Sequence, residues 1–227
     1  MKLSKDEKAK VVTCCNERLI TDYSFDPDFE YPNQWFIRQF DFISDESVRE
    51  QLGDAFYQAR FLCAMMESLS LPMGKNKGVI KFQIIQYASI CEALLNYTLE
   101  LYFKEEFESV HAGDTYSPNS SAVSSKTKIT HDGQELYLCL KKSEKAKITW
   151  TSNPKKAEFA LKKGIISNDV CNDYCNLYEL RNHTHILKAA RANYYPKPKE
   201  AKDAYKLVFK FLNEIKQFFQ ITPLPMS

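Results

Sequence analysis

GVIKFQIIQYASICEALLNYTLELYFKEEF, Gly78–Phe107, is apolar almost all the way round a helical wheel. Ile80, Phe82, Ile84, Ile85, Tyr87, Ile90, Leu94, Leu95, Tyr97, Leu99, Leu101 and Tyr102 leave no continuous polar face. A helix with no solvent side needs neighbours on every side, so it is the central element of a bundle. Upstream, Ser4 and Glu7 form a capping box that opens a helix to about Ile20. Thr21–Gln34, with Pro27 and Pro32, reads as an ordered loop. Trp35–Ile43 suits either a short helix or an extended piece. Ser44 is expected to cap a helix over Asp45 to about Leu69, stopped by Leu71-Pro72 and Gly74.

Downstream, His111–Lys126 carries Ser, Gly and Pro and reads as a loop. Asp132-Gly133, flanked by alternating residues, signals a hairpin within a two- or three-stranded insertion. Pro154 opens a short helix over Lys155–Lys163, closed by Gly164. Ser167 or Asn168 caps a long helix expected to run to about Ala192, and Pro196 and Pro198 break it. A last amphipathic helix runs to about Gln220. The expected fold is mainly α: a helical bundle over 77–220 with a small β insertion at about 126–150. Extra N-terminal helices in 1–76 pack on it, and 221–227 is a tail.

The chain has 227 residues, of which 13% are aromatic, far too many for a disordered protein. A net charge of +2 excludes a non-specific nucleic-acid coat and leaves room for a local site. Seven Cys with no C-x-x-C pair disfavour zinc and fit a reducing, cytoplasmic compartment. Phe82–Cys91 is short and holds two Gln, so no membrane span is expected. The start, MKLSKDEKAK, lacks the apolar core of a secretory signal. There is no Gly-rich phosphate loop and no G-x-S-x-G elbow, which argues against nucleotide kinases, dehydrogenases and serine hydrolases. No cofactor and no metal are expected.

The chemistry-bearing stretch is YCNLYELRNHTHILKAA, Tyr174–Ala190. On one continuous helix, Val170, Tyr174, Leu177 and Tyr178 form an apolar stripe, and Arg181 and His185 continue it one turn apart. His183 falls on the solvent side. Arg binds phosphate oxygens through a permanent cationic fork, and His moves protons near neutral pH. Together they suit metal-free RNA cleavage. The plainer possibility is a core Arg paired with a buried carboxylate and a satisfied core His. Glu92 sits off the solvated face of its own helix and is expected to partner Arg181 or another basic group. The runs at Lys141–Lys147 and Lys155–Lys163 read as solvated faces that could also guide an RNA backbone.

LRNHTH, Leu180–His185, resembles the R-N-x-x-H version of the signature of HEPN domains, the nucleotide-binding domain shared by higher eukaryotes and prokaryotes. SICEALLNYTLELYF, Ser89–Phe103, resembles that family's first core helix, with Glu92 as its acidic position. The resemblance implies a HEPN-like bundle that forms a homodimer through the motif helices. It further implies a metal-independent endoribonuclease, a toxin or phage-defence effector whose partners are RNA and an antitoxin or defence protein. Under it, His185 moves a proton, Arg181 stabilises charge on phosphate, and Asn182 binds phosphate or orients the His. Tyr178 stacks or packs, Glu92 supports from behind, and His183 is the second candidate imidazole. Three residues separate Arg181 from His185, fewer than the family usually has. That shorter spacing favours the alternative, a non-catalytic HEPN-like RNA-, nucleotide- or protein-binding module. A third possibility is an unrelated helical interaction domain with a structural Arg181–Glu92 pair.

Overall fold

The computed structural model describes residues 4–23, 33–118, 129–136, 139–144 and 146–222. The fold is mainly α with a small antiparallel β insertion. Helix α1 (Lys5–Tyr23) opens on the expected capping box. The Ser4 amide donates to the Glu7 carboxylate at 2.8 Å and the Glu7 amide donates to the Ser4 hydroxyl at 3.2 Å. Most of the expected Thr21–Gln34 loop, residues 24–32, lies outside the described residues; α1 extends through Tyr23 and helix α2 (Asn33–Arg38) begins within the expected loop. Helix α3 (Glu46–Ser68) is capped by Asp45, whose carboxylate accepts from the Val48 amide at 3.1 Å. Ser44 does not cap it, because its hydroxyl is engaged with the Tyr97 hydroxyl at 3.0 Å. Gly53 is where α2 crosses α3. A Cβ there would lie 2.6 Å from the Ile37 Cα, so the two helices meet at that point only because the side chain is a hydrogen.

Helix α4 (Lys77–Tyr102) is the centre of the molecule, packed by α3 on one side and by later helices on the others. Among the described residues it is the one helix with the length and hydropathy of a membrane span, and half of that window is buried inside the protein. It ends earlier than the hydrophobic pattern predicts. The backbone turns at Phe103, whose ring packs edge-on against Phe159 at 5.9 Å, and helix α5 (Lys104–Val110) restarts on a new axis.

The first part of the expected loop at His111–Lys126 contains a strand instead, and residues 119–126 lie outside the described residues. Strand β1 (Gly113–Pro118) pairs antiparallel with β4 (Cys139–Glu144), from Gly113 opposite Glu144 to Pro118 opposite Cys139. Turn-forming residues hide this strand, since pairing with β4 rather than local preference makes it. Lys141 and Asp114 tie the two strands at 2.7 Å. The Asp132-Gly133 hairpin forms as expected between β2 (Ile129–His131) and β3 (Gln134–Leu136). Both turn residues have left-handed φ, 48° and 75°, as a two-residue hairpin of this twist requires. Leu138, part of the expected alternation, lies outside the described residues.

After a 3₁₀ turn at Ile148–Trp150 come α6 (Asn153–Lys162), α7 (Asn168–Asn182), α8 (Ile186–Arg191) and α9 (Pro198–Ile221). Gly164, with φ 68°, ends the α6 segment, and the Ser167 hydroxyl caps α7 by accepting from the Val170 amide. One continuous core joins the 3₁₀ turn, α6, α7 and α9 to the N-terminal helices. At its middle Phe56 of α3 meets Tyr87 of α4 and Phe209 of α9, with ring centroids 6.2 and 5.4 Å apart. The buried Gln83 side chain stitches α4 to α3 by donating to the Ala59 carbonyl at 3.1 Å. Helices α4 and α7 are antiparallel: Lys81, near the start of α4, reaches Thr184 just past the end of α7.

Candidate functional site

The motif does not lie on one helix. Helix α7 stops at Asn182, His183 is its C-cap, and His185 is the extended N-cap of α8. The break needs neither Gly nor Pro. The Thr184 hydroxyl captures the Arg181 carbonyl at 2.6 Å, the Thr184 amide donates to the same oxygen, and the Lys81 ammonium holds the Thr184 carbonyl at 3.4 Å. A short polar side chain that satisfies a local carbonyl competes with the helix ladder. The expected i, i+4 pairing of Arg181 with His185 on a continuous stripe is therefore corrected. The two residues flank a turn.

The two imidazoles also exchange environments relative to the helical-wheel expectation. His185 is exposed. His183 is the more enclosed, with its side chain 27% exposed, Glu179 at 4.0 Å and the Tyr194 ring 5.6 Å away. Asn182 is half-buried and its carbonyl accepts from the His185 amide at 3.4 Å. Arg181 is half-buried in the last turn of α7, with its guanidinium 5.5 Å from the Tyr178 ring centroid. Among the described residues no carboxylate pairs with it. That leaves a cationic fork held by an aromatic face and free to meet an anion.

Glu92 does not reach this corner. Because α4 and α7 run antiparallel, it lies level with the middle of α7, where its field acts on Lys156 and on Tyr174. Lys156 is 1% exposed and donates to the Asn96 side-chain oxygen at 2.8 Å. Burial pulls its ammonium below the usual lysine range, and Glu92 and Glu100 oppose that shift. The sequence pattern does contain this residue. Asn153, Lys156, Ala157 and Ala160 form a buried i, i+3, i+4, i+7 stripe inside a run that reads as a basic solvated face.

Further groups from α4 and from the segment before α9 complete the corner. Lys77 and Lys81 come from the start of α4, and the Lys77 ammonium sits 3.7 Å from the ring centroid of the exposed Tyr195. Tyr194 and the Lys197 amide both donate to Glu200, at 2.9 and 2.7 Å, which anchors the start of α9. Burial, followed by that hydrogen bond, pushes the Tyr194 phenol up. Ile186 and Leu187 on α8 stand 80% and 73% exposed beside His185. Comparison with protein-family models, curated proteins and solved structures finds no match to this chain.

Proposed function

We propose that this protein is a metal-independent endoribonuclease of HEPN type, acting as a toxin or phage-defence effector. The supporting observation is Arg181: half-buried, backed by Tyr178, without a carboxylate partner among the described residues, and in one corner with His183, His185, Lys77 and Lys81. A guanidinium placed this way stabilises the charge that grows on phosphate oxygens in the transition state. In the reaction, the 2′-oxygen bonds to phosphorus and the bond from phosphorus to the 5′-oxygen breaks. One imidazole takes the 2′-hydroxyl proton, and a protonated one gives its proton to the leaving 5′-oxygen. The products are a 2′,3′-cyclic phosphate and a free 5′-hydroxyl. Incubation with a labelled RNA pool in EDTA tests this, and the expected fragments carry cyclic phosphate ends.

The reading includes a homodimer that brings two such corners together. Its support is the pair of bare side chains Ile186 and Leu187, large apolar groups beside the motif that a lone protomer leaves in water. Ile186→Asp with Leu187→Asp is expected to shift the protein from dimer to monomer in sedimentation and to reduce cleavage. An unchanged sedimentation coefficient places the contact elsewhere. The break after Asn182 favours one other reading, a non-catalytic HEPN-like module that binds RNA, a nucleotide or a protein, because it takes His185 off the stripe of Arg181.

A further inference from the structure

Among the described residues the most exposed large aromatic side chain lies far from this corner. Trp150 is 80% exposed, and it is not on a loose segment. The Lys147 carbonyl accepts from the Trp150 amide at 3.0 Å, the Thr151 amide at 3.0 Å and the Thr151 hydroxyl at 2.9 Å. Ile148, between them, is 3% exposed and plugs the turn into the core against α4 and α5. The Ala146 amide fastens the preceding residues to the Glu108 carbonyl at 3.2 Å. The indole is thus presented by a fixed platform. The Lys147 ammonium lies 4.3 Å from its centroid on one face, and the other face is open to solvent.

The surroundings are cationic. Helix α6 begins three residues after the indole, with no side-chain cap from Ser152 and no acidic residue in its first turn. Its positive end is therefore not neutralised locally. Between α6 and α5 a cavity of ≈ 250 Å³ is lined by Lys155, Lys162, Lys163, His111, Glu106 and Glu158 among others. Glu106 is taken by Lys163. Within the lining Lys155 and Lys162 then share the space with one uncommitted carboxylate, Glu158. An open aromatic face among unneutralised cations matches the alternating base and phosphate of a single strand, with bases stacked and phosphates drawn to ammonium groups.

We infer that Trp150, Lys147 and the α5–α6 cleft form a second RNA site, an anchor for single-stranded RNA at the opposite end of the bundle from Arg181. The choice of RNA as ligand rests on the ribonuclease reading; the binding itself does not require cleavage. The turn packs near the end of α4 that leads into α5, whereas Lys81 marks the Arg181 end. At a rise of 1.5 Å per residue the two sites are roughly 30 Å apart. The anchor therefore engages long substrates and leaves short ones unaffected.

Fluorescence anisotropy of a labelled oligouridylate of about a dozen nucleotides, with the full chain, tests this. Trp150→Ala is expected to weaken binding by about ten- to a hundred-fold, the range of one stacked base. Trp150→Phe retains most of the affinity, while Trp150→Leu, equally apolar but without a π-face, does not. Lys147→Ala lowers the salt slope by about 0.7, the value for one phosphate on a single strand. Wild-type affinity in Trp150→Ala overturns the inference. So does rescue by Leu equal to that by Phe, or no binding by the wild type. Self-association that depends on Trp150, with RNA binding unaffected, assigns the face to a protein contact and also overturns it. Binding that depends on Trp150, with no RNA ever cleaved, upholds the anchor and removes the nuclease reading.

Discussion

Under the proposed function, Arg181→Ala is expected to lower RNA cleavage by about a hundred- to a thousand-fold, as removal of a preorganised charge stabiliser does, and to leave the protein folded. The two halves of this result come from the same geometry. Among the described residues Arg181 has no carboxylate to orphan, and its contact with Tyr178 contributes no more than about 1 kcal/mol. Had it been one half of a buried ion pair, its loss would cost about 3–5 kcal/mol. Thermal melting beside the cleavage assay separates these cases. Intact stability with lost cleavage supports catalysis, whereas a large drop in melting temperature assigns Arg181 to the scaffold. Cleavage that persists in Arg181→Ala removes it from the mechanism. Single His183→Ala and His185→Ala variants then show which imidazole moves the proton, a choice the turn at Thr184 leaves to experiment.

Asn96→Ala is expected to destabilise the bundle by about 2–3 kcal/mol, because it takes the acceptor from a buried ammonium. For a chain of this length that corresponds to a melting temperature lower by roughly 4–12 °C. The double variant Asn96→Leu with Lys156→Met replaces both partners by apolar groups and is expected to recover most of the loss. The pH dependence has a definite sign. Burial lowers the folded-state pKa of Lys156 below its usual 10.5. The unfolded chain therefore keeps this proton to higher pH than the folded chain does. Stability rises with pH between the two values on account of this group. The deficit of Asn96→Ala should shrink as pH climbs toward 10.5. A deficit that is the same at neutral and alkaline pH shows that Lys156 is not the group responsible.

Much of this architecture is legible in the amino-acid order. Ser4 with Glu7, Asp132 with Gly133, and the unbroken apolar surface of α4 each carry a local physical signal; the first two form where they point, and the third gives the central helix but overshoots its end at Tyr102. The misplaced features have non-local causes. Asp45 caps α3 because Ser44 is drawn to Tyr97, a residue 53 positions away. Strand β1 exists through its partner β4. The break in the motif helix is hardest to read, since LRNHTH contains neither Gly nor Pro, and the wheel runs smoothly through it. It depends on Thr184 folding back on Arg181 and on Lys81 arriving from α4. Of the candidate site, Arg181 on Tyr178 follows from spacing alone. The neighbourhood of Glu92 does not, because helix direction decides whether it meets Arg181 or Lys156.

The central helix has one consequence for anyone who shortens this protein. Helix α4 carries the composition of a bilayer-crossing segment, and α3, itself backed by α1 and α2, clothes the flank of it that bears Gln83 and Tyr87. A fragment beginning at residue 77 would bare that flank and strand the Gln83 amide without its Ala59 acceptor. Such a piece would seek detergent, lipid or its own kind. Helix α3 is therefore a cover that the central helix cannot shed without baring apolar surface and a polar amide together.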